Sequence, residues 1–439
     1  MSLLTTQDPE AIERRERFCW VEAGVWTERM LAALENGVKG GKWFSLMDKV
    51  YAGRTLQAAW KRVAGNKGAA GVDRVSVERF AGRAEQYLQE ISQALRTDSY
   101  EVNPVRRVYI PKGGGKQRPL GIPTVKDRVV QTALKLVLEP IFEQVFEATS
   151  YGFRPQRSAK DALRRVDTLL KAGHTWVVDA DIERYFDTID HDRLMQEVER
   201  QVSDGRVLTL IRRYLEQDVL SGVEQWTPTQ GTPQGAVLSP LLANIYLHPL
   251  DVHLRQSGYE LVRYADDFVV LCRSETEAQA ALRAIRSHCD AYGLTLHPEK
   301  TQVGNCLLPG QGFEFLGYRF EAGHRWIRKK SRRAIRDRIR SKTKRTRGRS
   351  VNQIIEDLNP ILRGWFAYFK HANSHEFRAL DGFTRRRLRA VLRKQQKRPG
   401  HGSTRLDHQR WPNAFFAECG LFTCLQAYTV ASQSRCGNT

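Results

Sequence analysis

The run Leu261-Val262-Arg263-Tyr264-Ala265-Asp266-Asp267-Phe268-Val269-Val270-Leu271 sets two adjacent carboxylates inside an otherwise apolar, β-prone stretch. The flanking residues read as two short strands, which puts Ala265-Asp266 at the hairpin turn between them and both carboxylates at its tip. Side by side the two acids repel, and each is driven toward protonation unless a cation neutralises it. Oxygen donors of this kind suit Mg²⁺, which binds through one or two carboxylates and keeps water or substrate phosphate as its other partners. A plain polar turn and a metal site both remain open at this point.

A chain of 439 residues is long enough for two or three domains with sizeable cores. Its net charge of +21 is segregated: residues 325–439 hold 28 Lys/Arg against 7 Asp/Glu, while the preceding residues balance. A neutral body with a strongly basic last quarter is the footprint of a polyanion binder, nucleic acid above all. Basicity for solubility alone would not be confined in this way. The seven cysteines, at 19, 272, 289, 306, 419, 424 and 436, form no C-x₂-C pair, so the sequence points to reduced thiols rather than a zinc site. No basic and apolar leader opens the chain, and no stretch approaches the ~20 apolar residues of a membrane span. A soluble protein of the bacterial cytosol or nucleoid, without membrane contact, is the resulting expectation.

In chain order, residues 9–36 read as helical, with Trp20 and Trp26 placed either to stack on RNA or to pack against the next domain. A second helical segment, 43–64, ends in a glycine loop with no phosphate-binding fingerprint, because no G-K-[ST] follows. Helix resumes at 76–95. Residues 105–123 read as a hairpin whose glycine tip carries Lys112, Lys116 and Arg118, suited to closing over a triphosphate or to simple solvation. An amphipathic helix follows at 124–147, then the turn Tyr151-Gly152-Phe153-Arg154-Pro155. In Trp176-Val177-Val178-Asp179-Ala180-Asp181 an apolar strand runs into carboxylates, and Asp179, Asp181, Asp187, Asp190 and Asp192 compete for one role. In Pro233-Gln234-Gly235 the glycine leaves room for a backbone or a base beside Gln234, and Ser239-Pro240 reads as N-cap and first residue of an apolar helix. Helix 275–292, a turn through Lys300 and a hairpin at 313–320 come next. Ser331–Arg349 then reads as a basic helix with a thin stripe of Ala334, Ile335 and Ile339. Residues 354–369 read as a packed pair or kinked helix interrupted at Pro360, and 383–397 as a further basic helix.

Asp181 with Phe186 five residues on, Pro233-Gln234-Gly235, Tyr264-Ala265-Asp266-Asp267, the turn through Lys300, and Phe315-Leu316-Gly317 resemble, in order, the polymerase motifs of reverse transcriptases. The N-terminal extension, Arg118-Pro-Leu-Gly-Ile-Pro123, Tyr151-Gly-Phe-Arg-Pro155 and Leu358-Asn-Pro-Ile-Leu-Arg-Gly-Trp-Phe-Ala-Tyr-Phe369 are similar to the group II intron-encoded reverse transcriptase/maturase family. With no Cys/His-bearing nuclease region after the basic helices, the chain looks like the endonuclease-lacking bacterial branch.

That resemblance implies an α+β right-hand polymerase with a βαββαβ palm. The expected layout is an N-terminal helical extension at 1–40, fingers at 41–165 and palm at 166–324. A basic helical thumb/maturase domain at 325–397 and a short DNA-binding-like segment at 398–439 complete it. Asp181, Asp266 and Asp267, with the backbone of Ile182, are implied to hold two Mg²⁺ ions about 4 Å apart, with Mn²⁺ as a substitute. Lys112, Arg118, Phe186, Gln234 and Lys300 are implied to meet the incoming dNTP, Phe186 by excluding a 2′-hydroxyl and Lys300 by protonating pyrophosphate. Asp179 has no role. Phe315, Leu316 and Gly317 are implied to grip the primer. Arg328, Lys329, Lys330, Arg332, Arg333, Arg336, Arg340, Lys344 and Arg345 are read as the nucleic-acid-binding face. The function implied is RNA-templated DNA synthesis joined to splicing and mobility of a parent intron, with intron RNA, template/primer duplex, target DNA and dNTPs as partners. Two other services stay open: a domesticated polymerase in DNA repair or phage defence, and a splicing-only RNA-binding maturase. The sequence says nothing of oligomeric state.

Overall fold

A computed structural model describes residues 9–113, 116–346 and 348–436, so the Gly114-Gly115 tip of the basic hairpin lies outside the described residues. The chain forms two compact units, one comprising residues up to 172, 180–272 and 276–302, the other 173–179, 273–275 and 303 onward.

In the first unit the predicted helix over 9–36 is two, Pro9–Arg17 and Glu28–Asn36, the second capped by Thr27, whose hydroxyl accepts from the Met30 amide. The apolar spacing runs across the break because Val21, Val25 and Trp26 are buried from the intervening turns. Trp26 is core, not an RNA platform: its indole N–H donates to the Leu136 carbonyl at 3.0 Å. Residues 76–95 likewise divide, into Val77–Ala81 and Ala84–Arg96. The helix Val125–Glu143 is buried on most of its circumference rather than amphipathic, and it runs through the middle of this unit. Near its start Asp127, fully buried, accepts from the Tyr100 hydroxyl at 3.0 Å and the Thr124 hydroxyl at 2.5 Å. Burial pushes that carboxyl above its ordinary range while these donors pull it back.

The strands up to residue 305, in chain order, are β1 (Val105–Gly113), β2 (Lys116–Ile122), β3 (Trp176–Asp181), β4 (Val219–Ser221), β5 (Glu224–Trp226), β6 (Glu260–Tyr264), β7 (Asp267–Cys272) and β8 (Gln302–Asn305). The predicted basic hairpin is β1 with β2, antiparallel with Arg107 opposite Gly121 and Ile110 opposite Arg118. Strand β4 joins β1 in parallel, giving a sheet of order β2-β1-β4-β5. A second sheet has the order β6-β7-β3-β8. With the helices Ser239–Gln256 and Glu275–Ala291 between its strands, it is the expected βαββαβ succession. Ser239 is already helical and Leu238 takes the cap position; the Ser239 hydroxyl instead donates to the Pro233 carbonyl at 2.9 Å.

The second unit carries an antiparallel meander of β9 (Phe313–Phe315), β10 (Tyr318–Glu321) and β11 (His324–Ile327), one strand more than the predicted hairpin. Six helices follow among the described residues, the first three the longest. The basic one spans Lys329–Lys342, ending before Arg349, with Ile335 and Ile339 as its buried stripe. The next, Val351–Phe369, passes unbroken through Pro360, which is exposed, so the amide it lacks is missed only on the solvated side. The third, Ser374–Gln395, sets Phe377 against Phe366 and Tyr428, with ring centroids 5.3 Å apart in each pair. Among the described residues no helix is long and apolar enough to cross a membrane. Phe377 is fully buried. Phe377→Ala is therefore expected to cost about 3–5 kcal/mol, read as a lowered urea midpoint.

Candidate active site and nucleic-acid interface

Strands β6 and β7 pair in register from Glu260 with Leu271 to Tyr264 with Asp267, leaving Ala265-Asp266 as the two-residue turn that the sequence predicted. Positive φ at Ala265 (+60°) alone of the two is the pattern of a II′ turn, usually given to glycine at that position. Phe268 to Cys272 are sealed from solvent, so the apolar strand fixes the register, while Asp266 and Asp267 stay half-buried at the open end.

Asp181 is the last residue of β3. Its carbonyl accepts from the His297 amide at 2.7 Å, and its carboxylate meets the Lys300 ammonium at 2.5 Å. The competing acids are otherwise engaged. Asp190 caps the helix His191–Glu199, Asp192 pairs with Arg212 at 2.8 Å, and Asp187 accepts from Gln234 Nε2 at 3.4 Å. Among the described residues no group of three or more His, Cys, Asp or Glu side chains gathers closely enough to hold a metal ion. The donor chemistry nevertheless fits a hard divalent cation, since only carboxylate oxygens are offered and the Lys300 ammonium already stands on one of them.

The segment around Phe186 is tied to the glutamine loop. The Thr232 amide donates to the Phe186 carbonyl and the Gly121 amide to the Gln234 carbonyl, each at 2.7 Å. Gly235, at φ +106°, lies so close to β2 that an added Cβ would fall 2.7 Å from the Gly121 carbonyl oxygen, so it is a backbone that approaches here. Phe186 and Gln234 line a cavity of about 180 Å³ whose other walls include Arg107, Arg184 and Trp226. The Arg107 guanidinium lies 5.2 Å over the Trp226 ring. Arg107 and Trp226 were not singled out from the sequence, where nothing marks a surface tryptophan on a short strand. Arg118 is exposed on β2. Lys112 belongs to β1, with its side chain outside the described residues. Ile182 is buried and bridges to Leu296.

In the second unit Phe315 is sealed in the core, whereas Leu316 (φ +48°) and Gly317 (φ +86°) form a tight turn. The Leu316 carbonyl accepts from the Tyr368 hydroxyl at 2.8 Å, and the Gly317 carbonyl from the Arg328 amide at 3.0 Å. Lys329, Lys330, Arg333, Arg340, Lys344 and Arg345 are exposed. Arg332 pairs with the buried Glu376 at 3.1 Å. Arg336, Arg340 and Arg386 converge on the Phe383 ring at 5.6, 5.4 and 5.6 Å, and Asp337 is the acid on the first two residues' own helix. Burial, then the charges of Arg345, Arg340 and Arg386, depress the Arg387 pKa, a sign of how densely positive this face is.

The residues that hold the hairpin escaped the sequence reading. Arg263, Asp251 and Asn244 are all fully buried, and their signal was a single polar residue inside an apolar strand or helix.

Comparison with known proteins agrees with this arrangement. The reverse transcriptase (RNA-dependent DNA polymerase) family matches residues 110–320, and the group II intron maturase-specific domain matches residues 325–411. Protein YkfC of Escherichia coli is 37% identical over 304 residues, covering 60% of this chain and 77% of that protein. The group II intron-encoded protein LtrA of Lactococcus lactis is 41% identical over 199 residues, which is 45% of this chain and 33% of LtrA. An uncharacterized 91 kDa protein in the cob intron of Schizosaccharomyces pombe is 30% identical over 378 residues, covering 67% of this chain and 46% of that protein. With both domains matched and 77% of YkfC covered at 37% identity, the chain belongs to the group II intron reverse transcriptase/maturase family as an RNA-directed DNA polymerase.

Proposed function

We propose that the chain extends a DNA primer on an RNA template with dNTPs, using Asp181, Asp266 and Asp267 as the ligands of two Mg²⁺ ions. The carrying observation is the hairpin that presents Asp266 and Asp267 half-buried side by side, an arrangement that is unfavourable without a cation. Reverse transcriptases generally use divalent metal ions, and the carboxylate-only donor set here fits them. When bound, such ions supply acidification of the primer 3′-hydroxyl and neutralisation of the triphosphate. The protein's own part is positioning. Asp181, Asp266 and Asp267 orient charge at the open end of the sheet. Phe186 and Gln234 line the cavity, and Phe186 is assigned the exclusion of a sugar 2′-hydroxyl. Arg118, with Lys112, is assigned to the triphosphate. Lys300, released from Asp181, has a proton to give to departing pyrophosphate. A primer would meet the Leu316-Gly317 turn rather than the sealed Phe315 ring.

The two matched domains make nucleic acid, intron RNA included, the class of partner. We assign intron binding, splicing and mobility to the second unit's basic face, from Arg328 and Lys329 through Arg345, with the arginines around Phe383 as its centre. Fingers, palm and thumb then correspond to 41–165, 166–324 and 325–397.

Asp266→Ala is expected to abolish primer extension on an RNA template while leaving RNA binding intact; retained extension would remove the metal assignment. Binding of intron RNA is expected to fall by about 10³–10⁵ between ~50 and ~200 mM salt, as for six to ten phosphate contacts, and a flat response in a filter-binding series would contradict it. Splicing of the parent intron at low Mg²⁺ is expected to need the protein and to survive Asp266→Ala. An intron whose rate ignores added protein would end the splicing half of the reading.

A further inference from the structure

Three residues before Asp266, Arg263 is fully buried, and so is its partner Asp251 on the helix Ser239–Gln256. The guanidinium is almost fully used. Nε and Nη2 donate to the two Asp251 carboxylate oxygens at 2.7 and 2.5 Å. Nη1 donates to the Asn244 side-chain oxygen and to the Ala265 carbonyl, each at 3.0 Å. Asn244 in turn donates from Nδ2 to the Gly152 carbonyl at 2.8 Å. Gly152 closes the ring, because a Cβ there would lie 2.3 Å from the Ala265 amide nitrogen. Backbone bonds run alongside, from the Tyr151 amide to the Arg263 carbonyl at 2.8 Å and from the Arg263 amide to the Thr149 carbonyl at 3.0 Å.

A buried ion pair is often no more stabilising than an apolar pair of the same volume, so stability alone does not account for one here. What distinguishes this guanidinium is its last acceptor. Ala265 holds φ +60° without being glycine, a conformation that persists only when its surroundings enforce it. The Arg263 bond to its carbonyl from one side and the Gly152 backbone from the other do so. We propose that Arg263 is a positioning residue for DNA synthesis: it locks the Ala265 carbonyl, and thereby sets the direction in which Asp266 and Asp267 present their carboxylates to divalent cations. Asp251 and Asn244 orient the guanidinium, and the Tyr151-Gly152 segment is the wall against which the turn is pressed. The inference rests on the metal-binding reading of the hairpin.

Lysine at 263 keeps the positive charge opposite Asp251, but its compact ammonium cannot span both carboxylate oxygens and still reach the Ala265 carbonyl. Arg263→Lys in the full-length protein is expected to weaken Mn²⁺ binding by roughly tenfold, the low end of what loss of a ligand-orienting partner costs, read by electron paramagnetic resonance of free Mn²⁺. The Mg²⁺ midpoint of primer extension should rise in parallel, with the dNTP KM little changed. Gly152→Ala, which pushes the same turn from the opposite side with Arg263 intact, should shift both in the same direction. Arg389→Lys is the structural comparison. Arg389 is equally sealed but donates to the Trp411 carbonyl and the Asn413 side chain, and its loss should lower the melting temperature without moving the Mn²⁺ affinity. If Arg263→Lys folds and binds Mn²⁺ like the parent protein, the proposal is overturned. If it does not fold, Gly152→Ala decides on the same readout. Asp266→Ala separates the two levels: unchanged Mn²⁺ binding there removes the metal reading itself, whereas lost binding there with none lost in Arg263→Lys removes only the positioning role.

Discussion

Two carboxylates on consecutive residues at the end of an apolar hairpin are an electrostatic debt that the surrounding structure has to balance. Their strands are sealed, so the acids cannot swing away into water without breaking the register of β6 and β7. The neighbouring elements answer with cations and fixed dipoles. Arg263 stands behind the turn, fully desolvated, and Lys300 stands on Asp181. Burial pushes the Asp251 carboxyl up and Arg263 pulls it back, the balance expected of a carboxylate that shares its low-dielectric site with one guanidinium.

Around this point the chain is sewn together by backbone as much as by side chains. The Phe186 carbonyl is fixed by the loop that carries Gln234, the Gln234 carbonyl by β2, and the hairpin by the Tyr151-Gly152 segment. Segments far apart in sequence thereby share one set of atomic positions. Phosphoryl transfer asks mainly for positioning, and backbone bonds are the stiffest means of supplying it.

Much of this was legible beforehand. An apolar, β-prone run on either side announces two strands and Ala265-Asp266 between them announces a turn, so the hairpin could be read directly. The βαββαβ succession followed from the resemblance of the ordered motifs to reverse transcriptases, and the basic last quarter from counting. What stayed hidden depended on partners distant in sequence. For Trp26 the sequence left both stacking on RNA and packing against the next domain, and the acceptor that decides for packing, the Leu136 carbonyl, lies 110 residues away. Arg263 looked incidental because its partners Asp251 and Asn244 stand on another element, and Phe315 looked available because nothing local says that its ring turns inward. The single helix expected over 9–36 and the break expected at Pro360 failed for opposite reasons. Buried turns imitated helical spacing in the first, and an exposed proline was tolerated in the second.

The Trp26 indole bond bears on where this protein can be cut. Residues before 40 read, on a linear map, as an appendage to the polymerase. In three dimensions Val25, Trp26, Met30, Leu31 and Leu34 are interior side chains, and the ring of Trp26 packs edge-on against Trp43 at 5.4 Å. A trimmed version starting after Asn36 would leave the Leu136 carbonyl unsatisfied and lay bare one side of the most buried helix of its unit. Residues 25–34 are therefore part of the folded body of this unit, and a smaller enzyme would have to be sought by shortening the surface instead.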